Sequence, residues 1–328
     1  MNIDLTETAG PRDVDWFAER FRQVAANVGQ AIRGKPAVID LALIALFSEG
    51  HVLLEDVPGV GKTRLGQAIA ASIGGHFGRV QFTPDLLPSD VTGTDIFHQG
   101  TGEFEFRAGP VFCNILLADE VNRASPKTQS ALLEVMEERR VTIGTTTHAV
   151  ARPFSVLATS NPIEHEGTYR LPEAQLDRFM MRLTVGYPSV DVEADVLDSW
   201  LRDEFRDPPG QVLAAGEFPA MVATLRRVQV APALIEYIAT YCSETRKLPG
   251  LRLGASTRAT LALGVAARTR AASQGRSYVT GDDVLDLVEP VLAHRLILTS
   301  AARADGETAG SLLDQLGRRL PLPDRATR

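Results

Sequence analysis

His51-Val52-Leu53-Leu54-Glu55-Asp56-Val57-Pro58-Gly59-Val60-Gly61-Lys62-Thr63 is the stretch on which the fold turns. It reads as a strand, His51 to Glu55, running through a turn with two glycines into a helix. Such a turn aims successive backbone N–H groups and a helix N-terminus at phosphate oxygens. Lys62 adds a point charge near the β and γ phosphates, and the Thr63 hydroxyl suits a magnesium ion. The strict pattern GxxxxGK[ST] has glycine at its first position, where this chain has Asp56. A carboxylate near phosphates is electrostatically awkward, so the side chain is expected to point away and cap the loop.

Outward from this stretch, short β-branched runs alternate with helical patterns, the signature of a parallel sheet flanked by helices. The expected strands are His51 to Glu55, Arg79 to Thr83, Phe112 to Asp119, Phe154 to Thr159 and Arg182 to Tyr187. Ser125 followed by Pro126 reads as an N-cap with proline at the first helical position, opening a helix that buries Leu132, Leu133, Val135 and Met136. Two interruptions read as hairpins, near residues 96–106 and 141–153. After Tyr187-Pro188 the pattern becomes helical, with a capping box at Thr280 to Asp283. The expectation is an α/β domain over residues 1–187 and a smaller all-α domain over 188–328.

Two further strands end in chemistry. Asn114-Ile115-Leu116-Leu117-Ala118-Asp119-Glu120 closes on two acids, of which Asp119 can orient a magnesium shell and Glu120 can polarise a water for in-line attack. Val156-Leu157-Ala158-Thr159-Ser160-Asn161-Pro162 closes on a small polar cluster in which Asn161 can hold the attacking water or sense the γ phosphate.

Composition narrows the classes. The 328 residues are 44% hydrophobic and 23% charged, which supports a packed core rather than general disorder. The net charge of −7 gives no support to sequence-independent nucleic-acid binding. Four lysines leave 30 arginines among the 34 basic residues, an asymmetry that fits codon usage at most positions. Cys113 and Cys242 form no metal-binding pair, which fits a reducing cytoplasm. The longest apolar stretch, Ala37 to Phe47, is too short to span a bilayer, and the acidic opening MNIDLTETAGPRD does not read as a signal peptide.

In this order, P-loop, Asp-Glu strand, Asn strand and helical domain resemble an AAA+ ATPase, and the wording resembles the MoxR family. The matching blocks are Glu55 to Thr63, Ala118 to Ala124, Asn161 to Glu164, Gly167 to Tyr169, Leu171 to Phe179 and Gly254 to Ala259, spread from about residue 15 to about residue 323. The resemblance implies that Pro58, Gly59, Val60, Gly61, Lys62, Thr63 and Arg64 bind ATP. It makes Thr63 and Asp119 the Mg²⁺ contacts, Glu120 the catalytic carboxylate of the Walker B strand and Asn161 sensor 1. Arg178 would be an arginine finger toward a neighbouring subunit and Arg258 sensor 2. Guanidinium suits the last two because its fork donates bidentate hydrogen bonds to phosphate.

The implied protein is a cytoplasmic Mg²⁺-dependent ATPase in a homo-hexameric ring. It would remodel a protein client, with a von Willebrand factor A domain partner, without nucleic acid and without membrane insertion. The hairpins become candidate client contacts, with Ile96, Phe104 and Phe106 the residues to test. A chelatase-like metal-insertion motor differs chiefly in its partner. A nucleic-acid motor is disfavoured by hairpin tips, Gln99 to Gly102 and Gly144 to Thr147, that contain no Lys or Arg.

Overall fold

The computed structural model describes residues 9–57, 59–100, 102–160, 169, 171–202 and 208–323. Contacts divide the chain into two compact units, one formed by Val24–Arg178 with Leu183–Ala215, the other by the chain up to Gln23 with Phe179–Arg182 and from Gly216 onward. The chain therefore passes between units more than once.

The first helices are α1 (Pro11–Ala31) and α2 (Pro36–Phe47). α2 carries the longest apolar stretch of the sequence and buries Ile39 and everything from Ala42 to Phe47, so it is a core helix. Next come β1 (Val52–Glu55), α3 (Lys62–Ser72), β2 (Phe77–Gln81), α4 (Pro88–Thr92), β3 (Gly93–His98) and β4 (Glu103–Ala108). They are followed by β5 (Ile115–Asp119), α5 (Pro126–Glu138), β6 (Arg140–Ile143), β7 (Thr146–Ala149), β8 (Ser155–Ser160), α6 (Glu173–Leu176), β9 (Met181–Leu183) and α7 (Val190–Leu201).

Five of these strands form one sheet in the order β2-β5-β8-β1-β9. The pairs β1–β8, β5–β8 and β2–β5 are parallel, so these strands end at the same edge. Val52, Leu53 and Leu54 of β1, Ile115 to Ala118 of β5 and Val156 to Ala158 of β8 are all buried, as in a sheet covered on both faces.

All five strands differ from their expected limits: β1 and β8 start one residue later, β9 one residue earlier, and β5 starts at Ile115 rather than Phe112. Pairing of β2 begins at Phe77 opposite Ile115, two residues earlier than expected, and ends at Gln81 opposite Asp119. β9 stops at Leu183, and Gly186, at φ +66°, turns the chain toward α7. The hairpins are the antiparallel pairs β3–β4 and β6–β7.

α5 opens as expected, with Ser125 Oγ accepting from the Thr128 N–H at 3.4 Å and Leu132, Leu133, Val135 and Met136 buried. Beneath the start of β1, His51 is buried with Nε2–H donating to the Met136 carbonyl at 3.0 Å and Nδ1 accepting the Val156 N–H at 3.0 Å. Only the neutral ring makes both bonds, and burial pulls its pKa from 6.5 down to about 4.

The other unit is chiefly helical: α8 (Glu217–Arg226), α9 (Pro232–Thr245), α10 (Thr257–Ser273), α11 (Gly281–Leu292), α12 (Ser300–Ala304) and α13 (Ala309–Arg319). Thr280 and Asp283 form the expected capping box of α11. A short antiparallel pair, β10 (Leu251–Leu253) with β11 (Ile297–Leu298), is an addition that the helical pattern concealed. Here His294 and Arg295, both buried, donate to the Phe179 carbonyl oxygen at 3.0 and 2.7 Å.

Candidate functional site

The loop after β1 owes its shape to two glycines. Gly59 and Gly61 sit at φ +85° and +91°, in the left-handed region that L side chains disfavour. A Cβ on Gly59 would meet nothing within 4 Å, so the loop leaves open space above it. On Gly61 a Cβ would come within 3.1 Å of Ile32 Cδ1. Gly61 is also the N-cap of α3, and no side chain caps that end. Its leading N–H groups and the positive end of the helix dipole are thus suited to an anion. Lys62, Thr63 and Arg64 fill the first turn.

Asp56 resolves the departure from the glycine pattern. Its carboxylate is buried, accepts the Val57 N–H at 2.8 Å and the Gly186 N–H at 2.6 Å, and so serves the backbone. Its carbonyl oxygen accepts from Lys62 Nζ at 3.0 Å. The acid therefore ties the phosphate-type loop to the segment after β9.

At the same sheet edge, one strand away across β8, lie the two acids that end β5. Asp119 accepts from the Thr159 hydroxyl at 2.7 Å through Oδ1 and pairs with Arg79 at 2.9 Å through Oδ2. Glu120 takes a left-handed backbone, φ +56° and ψ +51°, and its N–H donates to the same Thr159 hydroxyl at 2.8 Å. Glu120 Oε2 accepts from Gln81 at 2.9 Å and from Arg123 at 2.9 Å. A non-glycine residue held in this conformation costs about 1–2 kcal/mol, which the surrounding hydrogen bonds must offset.

The donor set fits a nucleotide and a magnesium ion. Open backbone donors and an ammonium suit phosphates, while a hydroxyl at Thr63 and a carboxylate at Asp119 are the hard oxygen ligands that Mg²⁺ takes. Beside the loop, a cleft of about 600 Å³ is lined by Val60, Tyr187, Pro188, Leu197 and Trp200, within the range of small-molecule sites.

The other expected residues are placed as follows. Arg178 follows α6, pairs with Glu137 at 2.9 Å, and lines a cleft of about 510 Å³ with Glu134, Glu138, Arg140 and Gln175. Arg258 is exposed in the first turn of α10 in the other unit. Pro58 and Asn161 lie outside the described residues, as do most of the flanking blocks at 161–168.

In the hairpins, Phe104 is 70% exposed and lies 5.1 Å from Phe97, itself 51% exposed. Phe106, one of the candidate contact residues, stacks on His148 of the second hairpin at 3.8 Å and meets Phe112 edge-on. It joins the hairpins and is a poor candidate for direct contact. The sequence reading also passed over Arg79, Gln81, Thr159, Tyr187 and Trp200. Val196 to Trp200 at helical i, i+4 spacing in an exposed helix was the available signal for the cleft.

Residues 51–181 match the profile of the ATPase family associated with various cellular activities (AAA), and residues 243–316 match the AAA lid domain. The chain is 44% identical to the chaperone MoxR1 of Mycobacterium tuberculosis, covering 90% of this chain and 81% of that protein. It is 46% identical to the uncharacterised YeaC of Bacillus subtilis, over 90% and 93% of the two chains. The MoxR protein of Paracoccus denitrificans is 32% identical over 94% and 98%. A crystal structure of a candidate ATPase from Cytophaga hutchinsonii superposes with a TM-score of 0.89 at 37% identity, covering 95% of this chain and 98% of that one. With full-length relatives of that name on one side and a phosphate-type loop facing an acid-ended strand on the other, the chain belongs to the MoxR family of AAA+ ATPases.

Proposed function

We propose that this chain hydrolyses ATP at the carboxyl edge of its sheet and uses the cycle to remodel a protein partner. The observation that carries the reading is the placement of an uncapped, glycine-shaped helix start after β1 and the Asp119–Glu120 pair after β5 at one edge of the parallel sheet, with only β8 between them. In this reading Lys62 and the backbone from Gly59 to Arg64 hold the phosphates, and the cleft at Tyr187 and Trp200 takes the adenine ring. Thr63 and Asp119 hold the magnesium ion, which when bound spreads the charge that develops on the transferred phosphoryl group. Glu120 orients the attacking water and accepts its proton. Asn161 serves as sensor 1 and Arg258 as sensor 2. Arg178 reaches the γ phosphate of a neighbouring subunit once it leaves Glu137, which makes a ring, a hexamer by family resemblance, part of the proposal.

Net charge argues for a protein client rather than nucleic acid, and the family resemblance points to a von Willebrand factor A domain partner. Cys113 and Cys242 are free and buried, which fits the reducing cytoplasm. Among the described residues no helix is long and apolar enough to cross a membrane. Glu120→Gln is the test. It is expected to bind a fluorescent ATP analogue as the wild type does while phosphate release falls by a factor of about 100 or more. Wild-type turnover in this variant would sink the assignment.

A further inference from the structure

Thr159 stands one residue beyond the last β5–β8 pair, Ala118 opposite Ala158, so parallel register sets it level with Asp119. It is 1% exposed. A hydroxyl has one hydrogen to give and lone pairs to accept with. Here the hydrogen goes to Asp119 Oδ1 at 2.7 Å, and the oxygen accepts the Glu120 N–H at 2.8 Å. One atom is thus bonded to two successive residues of the site, to the side chain of the first and to the backbone of the second.

From this geometry we propose that Thr159 is a positioning residue for hydrolysis. Its hydroxyl fixes the carboxylate rotation of Asp119 and holds Glu120 in its left-handed backbone, so that the two acids are aimed in different directions from adjacent positions. The inference rests on the ATPase reading given above.

Two features make the hydroxyl, rather than the shape of the side chain, the working part. Without it, the Asp119 carboxylate keeps, among the described residues, only the Arg79 guanidinium, whose side chain is 50% exposed, so the carboxylate can turn toward solvent. Glu120 would keep its unfavourable φ of +56° with its N–H unpaired, and a return to extended backbone would re-aim its side chain. A strand position needs only a β-branched residue of this volume, which valine supplies equally well.

The experiment compares Thr159→Val, Thr159→Ala and Thr159→Ser with the wild type and Glu120→Gln. It uses the full chain, steady-state phosphate release and equilibrium binding of a fluorescent ATP analogue with Mg²⁺ or with EDTA. Both hydroxyl-free variants are expected to lose about tenfold or more in kcat with KM for ATP little changed. Their affinity for the analogue in EDTA should match the wild type, while the Mg²⁺ needed for half-maximal binding rises. Thr159→Ser should restore both quantities. If Thr159→Val fails to fold, the Ala and Ser pair carries the same comparison. Wild-type kcat and Mg²⁺ requirement in the hydroxyl-free variants, or a Ser variant as impaired as Val, would overturn the role of Thr159 while leaving the ATPase reading in place. A wild-type protein that neither binds the analogue nor releases phosphate overturns both.

Discussion

Protonation of His51 should unfasten the start of β1. The buried ring satisfies the Met136 carbonyl with one nitrogen and the Val156 N–H with the other, and a second ring proton has no acceptor there. Burial is the main cause of its fall from 6.5 to about 4; the bond to Met136 opposes it and the nearby Arg139 charge adds to it. The unfolded chain takes up this proton around 6.5 and the folded chain only around 4. Between those values the unfolded state binds more protons, so stability present above the unfolded pKa is lost as pH falls through the window. At about 1.4 kcal/mol per pH unit, the loss reaches about 3 kcal/mol. His51→Gln removes the titration while keeping an amide donor for Met136. Urea unfolding of both proteins at about pH 7 and about pH 4.5 gives two differences in stability, and the advantage of the wild type should shrink by about 2.4 kcal/mol between them. His294, also lowered by burial, to about 3, titrates in both proteins and cancels. Parallel pH profiles for the two proteins would refute the reasoning.

The remaining predictions concern the loop and the arginine. Asp56→Gly, which restores the glycine pattern, should lower unfolding stability by about 2–4 kcal/mol because two backbone N–H groups lose a charged acceptor; Asp56→Asn, keeping one acceptor, should lose less in the same denaturant titration. An Asp56→Gly protein as stable as the wild type would contradict the capping role. If Arg178 acts across a subunit boundary, mixing inactive Arg178→Ala and Lys62→Ala chains should recover measurable phosphate release, and confirmed co-assembly without recovery would place Arg178 elsewhere.

Residues whose chemistry depends on local order were legible in the sequence. The glycine turn before Lys62, the acids that end β5 and the Ser125 cap each lie within one short segment, where spacing alone carries the information. The polar groups around Asp119 and Glu120 were not legible, because Arg79, Gln81 and Thr159 belong to strands far apart in the chain. They meet only through the β2–β5–β8 pairing. The same holds for Phe106, whose alternation marks it as a strand residue but gives no hint of His148. The misplaced start of β2 has a comparable origin: Phe77 and Gly78 look like a loop until Ile115 and Leu116 lie opposite them. The burial of Cys113 and Cys242 was not legible either, and it pushes the Cys113 thiol up to about 12.

The face-to-face contact of Phe106 with His148 bears on stiffness. A lone two-stranded hairpin is marginally stable in water and bends readily. Here each hairpin braces the other, so the exposed Phe97 and Phe104 pair is carried on a mount rather than on a whip. Phe97 lies four residues beyond Gly93, about 13 Å along an extended strand. In any ring of such chains that reach is a fixed ruler, and lengthening each strand of the hairpin by two residues would shift the aromatic pair by about 7 Å.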